Sequence, residues 1–229
     1  MPLETCPPAP ALESLGLMEP GRAGEPFNGA GWAFALPLSG HRVLAAFGRG
    51  VRGDGVAAWP GCRLRSRRGV EAARWFPEVA RALAALRRRA PTVADGEICV
   101  LDPDGRSNPA LLHERSLVPG RRPGTPPAVL VLRDLLVWEG RDVRSLPWSA
   151  RRRLLAGLPR QEPPRAALRL QRCVDGEGLW LARQAQALGH AAIDAFRHDA
   201  PYVAGPGIGW LSVPVAGHAL DAPALGLAA

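Results

Sequence analysis

The chain contains no lysine: all 29 of its basic residues are arginine. A guanidinium stays protonated near neutrality, so no side chain here can act as the amine nucleophile that a desolvated lysine provides. Cysteine is scarce as well. Cys6, Cys62, Cys99 and Cys173 lie far apart and form no Cys-x-x-Cys pair, so neither a zinc site nor a disulfide framework is signalled. No run approaches the roughly 18 apolar residues of a membrane span. The opening MPLETCPPAPALESLG lacks a basic region followed by an apolar core, and is no secretory signal. These absences lead to the expectation of a cytoplasmic protein with no membrane partner.

What is present fits one packed domain with tails, since 47% of the 229 residues are hydrophobic and that suffices for a core. The formal net charge of +8 makes a polyanion the first partner to consider. Residues 1–24, rich in Pro, Gly and Ala, read as an extended leader, 25–216 as the folded domain and 217–229 as a tail. Positions 42–47 predict a strand, GRGVRGDG a hairpin tip and 62–65 a second strand. Phe76, Val79, Ala80, Leu83 and Leu86 recur at helical spacing, with Pro77 in the first turn and arginines 87–89 at the end that favours cations. An apolar run at 98–101 ends in a Pro-Asp-Gly turn, and 129–132 reads as a buried strand. LPWSARRRLLAGL and LWLARQAQALG read as helices, the second closed by Gly189. No internal repeat is visible. This irregular mixture indicates an α+β domain rather than a parallel βαβ series.

Five stretches carry a resemblance. They are GWAFALPLSGHRVLA, CRLRSRRGVEAARWFPEVARAL, DGEICVLDPDGRSN, VLRDLLVWEGRDVRSLPWSARRRLL and GHAAIDAFRHDAPYVAGPGIGWLSVP. In this order and spacing, from Gly31 to Pro214, the chain resembles the adenylation (nucleotidyltransferase) domain of ATP-dependent DNA ligases, nearest the ligase module of bacterial end-joining enzymes. The resemblance implies antiparallel sheets flanked by helices in an ATP-grasp-like arrangement. It also implies ATP with Mg as cofactors and DNA as partner, a setting in DNA repair and recombination, and neighbours such as Ku or a polymerase.

The departures from the family pattern are systematic. The nucleophilic lysine falls on Pro37, the adenine-contacting glutamate on Ala35 and the aspartate two residues after the nucleophile on Ser39. Arg133 replaces the aromatic that stacks on adenine; Ala191 and Phe196 replace a glutamate and a lysine, and Ser212 and Pro214 the two phosphate-binding lysines. Retained are Gly40, Arg42, Arg67, Asp95, Gly96 and Glu97, then Arg115, Asp134, Tyr202, Gly205 and Trp210. A vestigial nucleotide pocket would therefore consist of Arg42, Arg67, Glu97 and Arg133, with Asp95 and Glu97 as metal ligands. About fifteen residues follow the last motif, too few for the OB-fold domain that ligases use to complete adenylation. A lysyl-AMP needs an amine, phosphate-neutralising cations and metal-holding carboxylates; the expectation is a catalytically inactive, DNA- or nucleotide-binding pseudo-ligase.

Plainer readings accompany each candidate. Asp95 and Glu97 hold a metal or a ribose, or else are solvated residues at a strand start. Arg42 and Arg67 bind a phosphate, or else pair with nearby acids. His41, His190 and His198 occupy motif positions, yet no Ser or Cys stands at a recognisable catalytic spacing. Tyr202 and Trp210 stack on a base or pack inside the fold. The runs Arg65 to Arg68, Arg87 to Arg89, Arg121 and Arg122, and Arg151 to Arg153 together make a DNA-facing surface or are solvated helix faces. The remaining alternatives are an enzyme with altered nucleotide chemistry and a protein-interaction scaffold without a ligand.

Overall fold

Strands and helices alternate irregularly in the computed structural model, which describes residues 3–51, 61–103, 105–120, 124–158 and 167–215. In chain order the strands and helices are β1 (Met18–Arg22), β2 (Gly29–Ala35), β3 (His41–Phe47), β4 (Cys62–Ser66), α1 (Pro77–Ala84), β5 (Thr92–Val100), α2 (Pro109–Ser116), β6 (Ala128–Trp138), β7 (Arg141–Asp142), α3 (Trp148–Gly157), β8 (Leu168–Leu170), β9 (Val174–Gly176), α4 (Gly178–Ala187), β10 (Ala192–Arg197) and β11 (Gly205–Pro214). The α+β class is as expected: β3 pairs antiparallel with β4 and β5, β6 with β5 and β7, β2 with β9 and β10, and β10 with β11, whereas β8 runs parallel to β6. No described helix is long and apolar enough to cross a membrane.

The chain divides into two units, one of residues 1–18, 38–171 and 199–205, the other of 19–37, 172–198 and 206–229. In the first, a six-stranded sheet runs β4-β3-β5-β6-β7, with β8 on β6. Phe47, Leu64, Val79, Leu83, Ile98, Leu132 and Leu155 meet in its main core, which seats α1 and α3 against one face. The ladder pairs Gly96 with Leu132 but Asp95 with Asp134, so Arg133 is the extra residue of a β-bulge. That bulge reverses the side-chain parity of β6. Leu130 and Leu132 before it and Leu135 after it consequently enter the same core. In the second unit the order is β1-β11-β10-β2-β9. Phe34, Ile193, Ala195 and Val213 pack with Leu181, Ala182 and Ala185 of α4 on one face.

The predicted strands at 42–47 and 62–65 and the helices at α1, α3 and α4 are present, and Gly189 follows α4 with φ 78°. Three expectations change. Residues 3–24 are not simply extended: Leu12, Leu15 and Met18 are buried, and β1 joins a sheet, because these apolar side chains anchor the segment. Strand β5 begins well before position 98, so Asp95 and Glu97 lie inside the strand rather than at its start. Helix α2 was not expected; Asn108 caps it by accepting from the Leu111 N–H at 3.0 Å, and Pro109 occupies its first position. The tail at 217–229, arginines 121 and 122 and most of the expected hairpin tip lie outside the described residues.

Gly96 stands at the centre of this register. A Cβ there would sit 2.7 Å from the Val131 carbonyl oxygen and 3.0 Å from Leu130 Cδ1. Backbone oxygen in a sheet cannot yield cheaply. Gly96→Ala is expected to lower unfolding free energy by about 1–3 kcal/mol, read as a lower urea midpoint at unchanged slope; an unchanged midpoint would mean that β5 and β6 can separate there.

Candidate functional site

On β5, Ala94, Ile98 and Val100 point into the main core, so the alternating Asp95 and Glu97 project from the opposite face of the sheet. Both are buried, Asp95 at 0% and Glu97 at 7% exposure. Burial of a carboxylate demands compensation. Each receives it from this chain.

Asp95 is held by a bidentate fork: Arg42 Nε donates to Oδ1 and Nη2 to Oδ2, both at 2.5 Å. The Tyr202 hydroxyl donates to Oδ2 at 2.8 Å and itself accepts the Met18 N–H at 2.9 Å. Arg42 also donates to the Met18 carbonyl at 3.2 Å. Burial works against the Arg42 charge, but the charge and hydrogen bonds of Asp95 outweigh it and hold the guanidinium's pKa above its usual value. Burial, reinforced by the adjacent carboxylate, raises the Tyr202 phenol well above its ordinary range.

Glu97 Oε1 accepts the Gly40 N–H at 2.7 Å, and Oε2 accepts from Arg133 Nη2 at 3.0 Å. The bulge makes this pairing available by placing Arg133 beside Glu97's strand. Asp134, the next residue, is gripped by Arg151 of α3 through two 2.8 Å bonds, while Arg151 also donates to the Leu146 and Ala200 carbonyls. Three carboxylates and three arginines thus form a belt of three separate ion pairs. The two acids expected to hold a metal do not fit one: each faces a guanidinium, and no cluster of three or more acid, His or Cys ligands occurs among the described residues.

Arg42, Glu97 and Arg133 are therefore brought together, paired with acids of the chain. Arg67 is exposed, and its backbone N–H donates to the Arg42 carbonyl at 3.2 Å. His41 does have a serine neighbour: its Nε2 lies 3.0 Å from Ser116 Oγ, a pairing that sequence spacing concealed. Ser116 gives its own proton to the Leu112 carbonyl at 2.7 Å, which leaves the imidazole as donor and not as base. Burial, with a contribution from His113, lowers the His41 pKa. His198 Nε2 lies 3.2 Å from Asp175. Of the arginine runs, Arg88 and Arg151 are buried, and Arg65 and Arg152 donate to the Leu15 and Gln171 carbonyls; Arg67, Arg68, Arg87, Arg89 and Arg153 are exposed.

In the second unit, register gathers the substituted positions. Ala33, Phe196 and Trp210 lie in one row across β2, β10 and β11; Ala35, Asp194 and Ser212 form the next, and Ala192 opposes Pro214. Opposed residues share a face, so the positions where the resemblance asks for a glutamate and two lysines carry Ala35, Phe196 and Ser212 side by side. Phe196 stacks on Trp210 with centroids 5.8 Å apart, and Trp210 Nε1 donates to Asp194 at 3.0 Å. Both aromatics are buried, and Tyr202 likewise packs rather than presenting a free ring. Asp194 went unnoticed in the sequence because nothing marks an acid and an indole 16 residues apart as partners.

Two measurements follow from the belt. Asp134→Ala strands the buried Arg151 charge and should cost about 3–5 kcal/mol, seen in the denaturation midpoint; a loss below about 1 kcal/mol would mean that the pair is hydrated. Alkaline pH tests Tyr202 together with Cys99, whose thiol burial pushes up to about 11. The unfolded chain releases these protons near pH 9–10 while the folded chain keeps them, so stability is full below that range and falls as pH rises through it. The melting temperature should drop between pH 8.5 and 11, and a flat profile would contradict the burial.

No protein-family model matches the chain. A probable DNA ligase from Mycobacterium sp. (strain KMS) is 35% identical over 151 residues, 64% of this chain and 28% of that protein. One from Mycobacterium marinum is 35% identical over 153 residues, 64% of this chain and 29% of its own length. The chain thus spans less than a third of these relatives. Among solved structures, a mycobacterial DNA ligase D complexed with ATP and MES superposes with TM-score 0.69 at 23% identity, over 89% of this chain and 61% of that one. The ligase domain of M. tuberculosis LigD gives 0.68 at 23% identity, over 88% and 60%. A Lig E DNA ligase gives 0.56 at 15% identity, over 86% and 68%. The fold is that of the adenylation domain of ATP-dependent DNA ligases.

Proposed function

We propose, from the premise that this chain is ATP-dependent DNA ligase-like, that it forms no lysyl-adenylate and acts as a non-catalytic binder of DNA. The observation that carries the reading is the sheet face on which Ala35, Phe196 and Ser212 stand in adjacent rows where the ligase pattern has a glutamate and lysines. Adenylation requires an amine to attack the α-phosphate of ATP while pyrophosphate departs, with cations on the phosphates. Pro37 has no nucleophile, and no lysine exists in the chain to replace it. The acids of the other sheet are neutralised by Arg42, Arg133 and Arg151, which argues against a resident Mg ion and against a nucleotide in the ligase pose.

DNA is supported by the net charge of +8 and by the arginines that remain exposed, among them Arg67, Arg68, Arg89 and Arg153. A place in DNA repair or recombination, beside end-joining proteins such as Ku or a polymerase, belongs to the same proposal.

Incubation with ATP and Mg followed by intact-mass spectrometry is expected to leave the mass unchanged; one stoichiometric AMP adduct would overturn the central claim. Titration with nicked and intact duplex at two salt concentrations should show binding that weakens steeply as salt rises. Absence of binding at low salt would remove DNA as the partner.

A further inference from the structure

Four arginines are buried among the described residues: Arg88, Arg115, Arg133 and Arg151. Three are neutralised, by Glu78, Glu97 and Asp134. Arg88, at 9% exposure, is not: no carboxylate of the described residues pairs with it, and its guanidinium carbon lies 5.6 Å from the centre of the Trp138 ring; its Nε, like those of Arg115 and Arg133, has no hydrogen-bond partner. A guanidinium cannot shed its proton to relieve burial. A lone buried charge of this kind calls for an anion.

The surroundings are built for close approach. Three turns of the first unit converge here, around Gly48, Arg88 and Glu139. The Arg49 N–H donates to the Arg88 carbonyl at 2.9 Å and the Gly140 N–H to the Pro91 carbonyl at 2.7 Å. Gly48 has φ +110°, and a Cβ on it would meet the Ala90 oxygen at 2.6 Å and Arg88 Cβ at 2.9 Å. The two non-glycine residues with positive φ among those described, Arg87 at 46° and Glu139 at 45°, both belong to these turns. Arg49, Arg87 and Arg89 are exposed and add positive charge, whereas among the described residues of these turns the acid, Glu139, forms no ion pair with them. Compensation of the α1 dipole explains arginines after that helix, but exposed Arg87 and Arg89 would suffice for it. It does not require burying Arg88.

We propose that this corner is a binding site for a phosphate-type oxyanion, with Arg88 as its buried anchor, Trp138 as a wall and Arg49, Arg87 and Arg89 as the surrounding field. The site lies away from the acid belt and stands whether or not the chain adenylates. Its ligand is a phosphate, carried either by a free polyphosphate or by a DNA backbone.

The test is titration of the whole chain with inorganic pyrophosphate and, separately, with a short duplex, in chloride buffer, comparing wild type with Arg88→Met and with Arg153→Met as an exposed control of equal charge change. Arg88→Met keeps the aliphatic stem beside Trp138. It is expected to weaken pyrophosphate binding at least tenfold while melting no lower than wild type without phosphate, because a lone charge has been removed. Arg153→Met should bind pyrophosphate as wild type does. Weakening of pyrophosphate alone identifies a free polyphosphate, and weakening of both ligands identifies the DNA backbone. If Arg88→Met does not fold, Arg88→Lys, which keeps the charge but not the planar fork, should bind at least threefold more weakly. No pyrophosphate binding by wild type, or equal loss in Arg88→Met and Arg153→Met, overturns the proposal.

Discussion

The first unit depends on the Arg42–Asp95 fork. Asp95 is fully buried in the middle of β5, and a carboxylate there is tolerable only if an opposite charge comes with it. Arg42 brings that charge from β3, Tyr202 adds a hydroxyl from the segment at 199–205, and both return to the backbone of Met18. One charged pair therefore ties together four stretches of chain that are distant in sequence. In a chain without lysine, each such pairing is made by a planar, permanently charged fork, which is both stronger and less adaptable than an ammonium.

The same chemistry recurs along the sheet. Arg133 closes Glu97 and Arg151 closes Asp134, so the carboxylates that resemble a ligase's acids are consumed by the fold. The five-stranded sheet is built differently: one face carries Ala35, Ser212 and a Phe196–Trp210 stack, and the Asp194 carboxylate on that face accepts from the Trp210 indole. Unpaired carboxylates would be costly to bury in the first unit, and here each has a guanidinium. Arg88 stands apart because nothing described in the chain neutralises it.

Much of the fold was legible. Helices α1, α3 and α4 announced themselves by apolar spacing, with Pro77 and Gly189 as punctuation, and β3 and β4 by short apolar runs. Strand β5 was read only from its apolar end, since Asp-Gly-Glu breaks the run; the acids are tolerated there only through partners from elsewhere. Helix α2 offers little amphipathic contrast and went unread, the Asn-Pro at its start being a local signal for it. The His41–Ser116 contact and the Asp194–Trp210 bond had no local signal at all.

By itself the sequence determined that no lysine side chain exists in it and that the chain is basic through arginine alone, and it carried the resemblance to the ligase adenylation domain. Only the tertiary structure decided which arginines are spent and on what. Arg133 and Glu97 are 36 residues apart, and Tyr202 and Asp95 are 107 apart. Their meeting depends on strand register, including the bulge at Arg133, and register is set by how a whole sheet buries its apolar face rather than by any residue's neighbours in the chain.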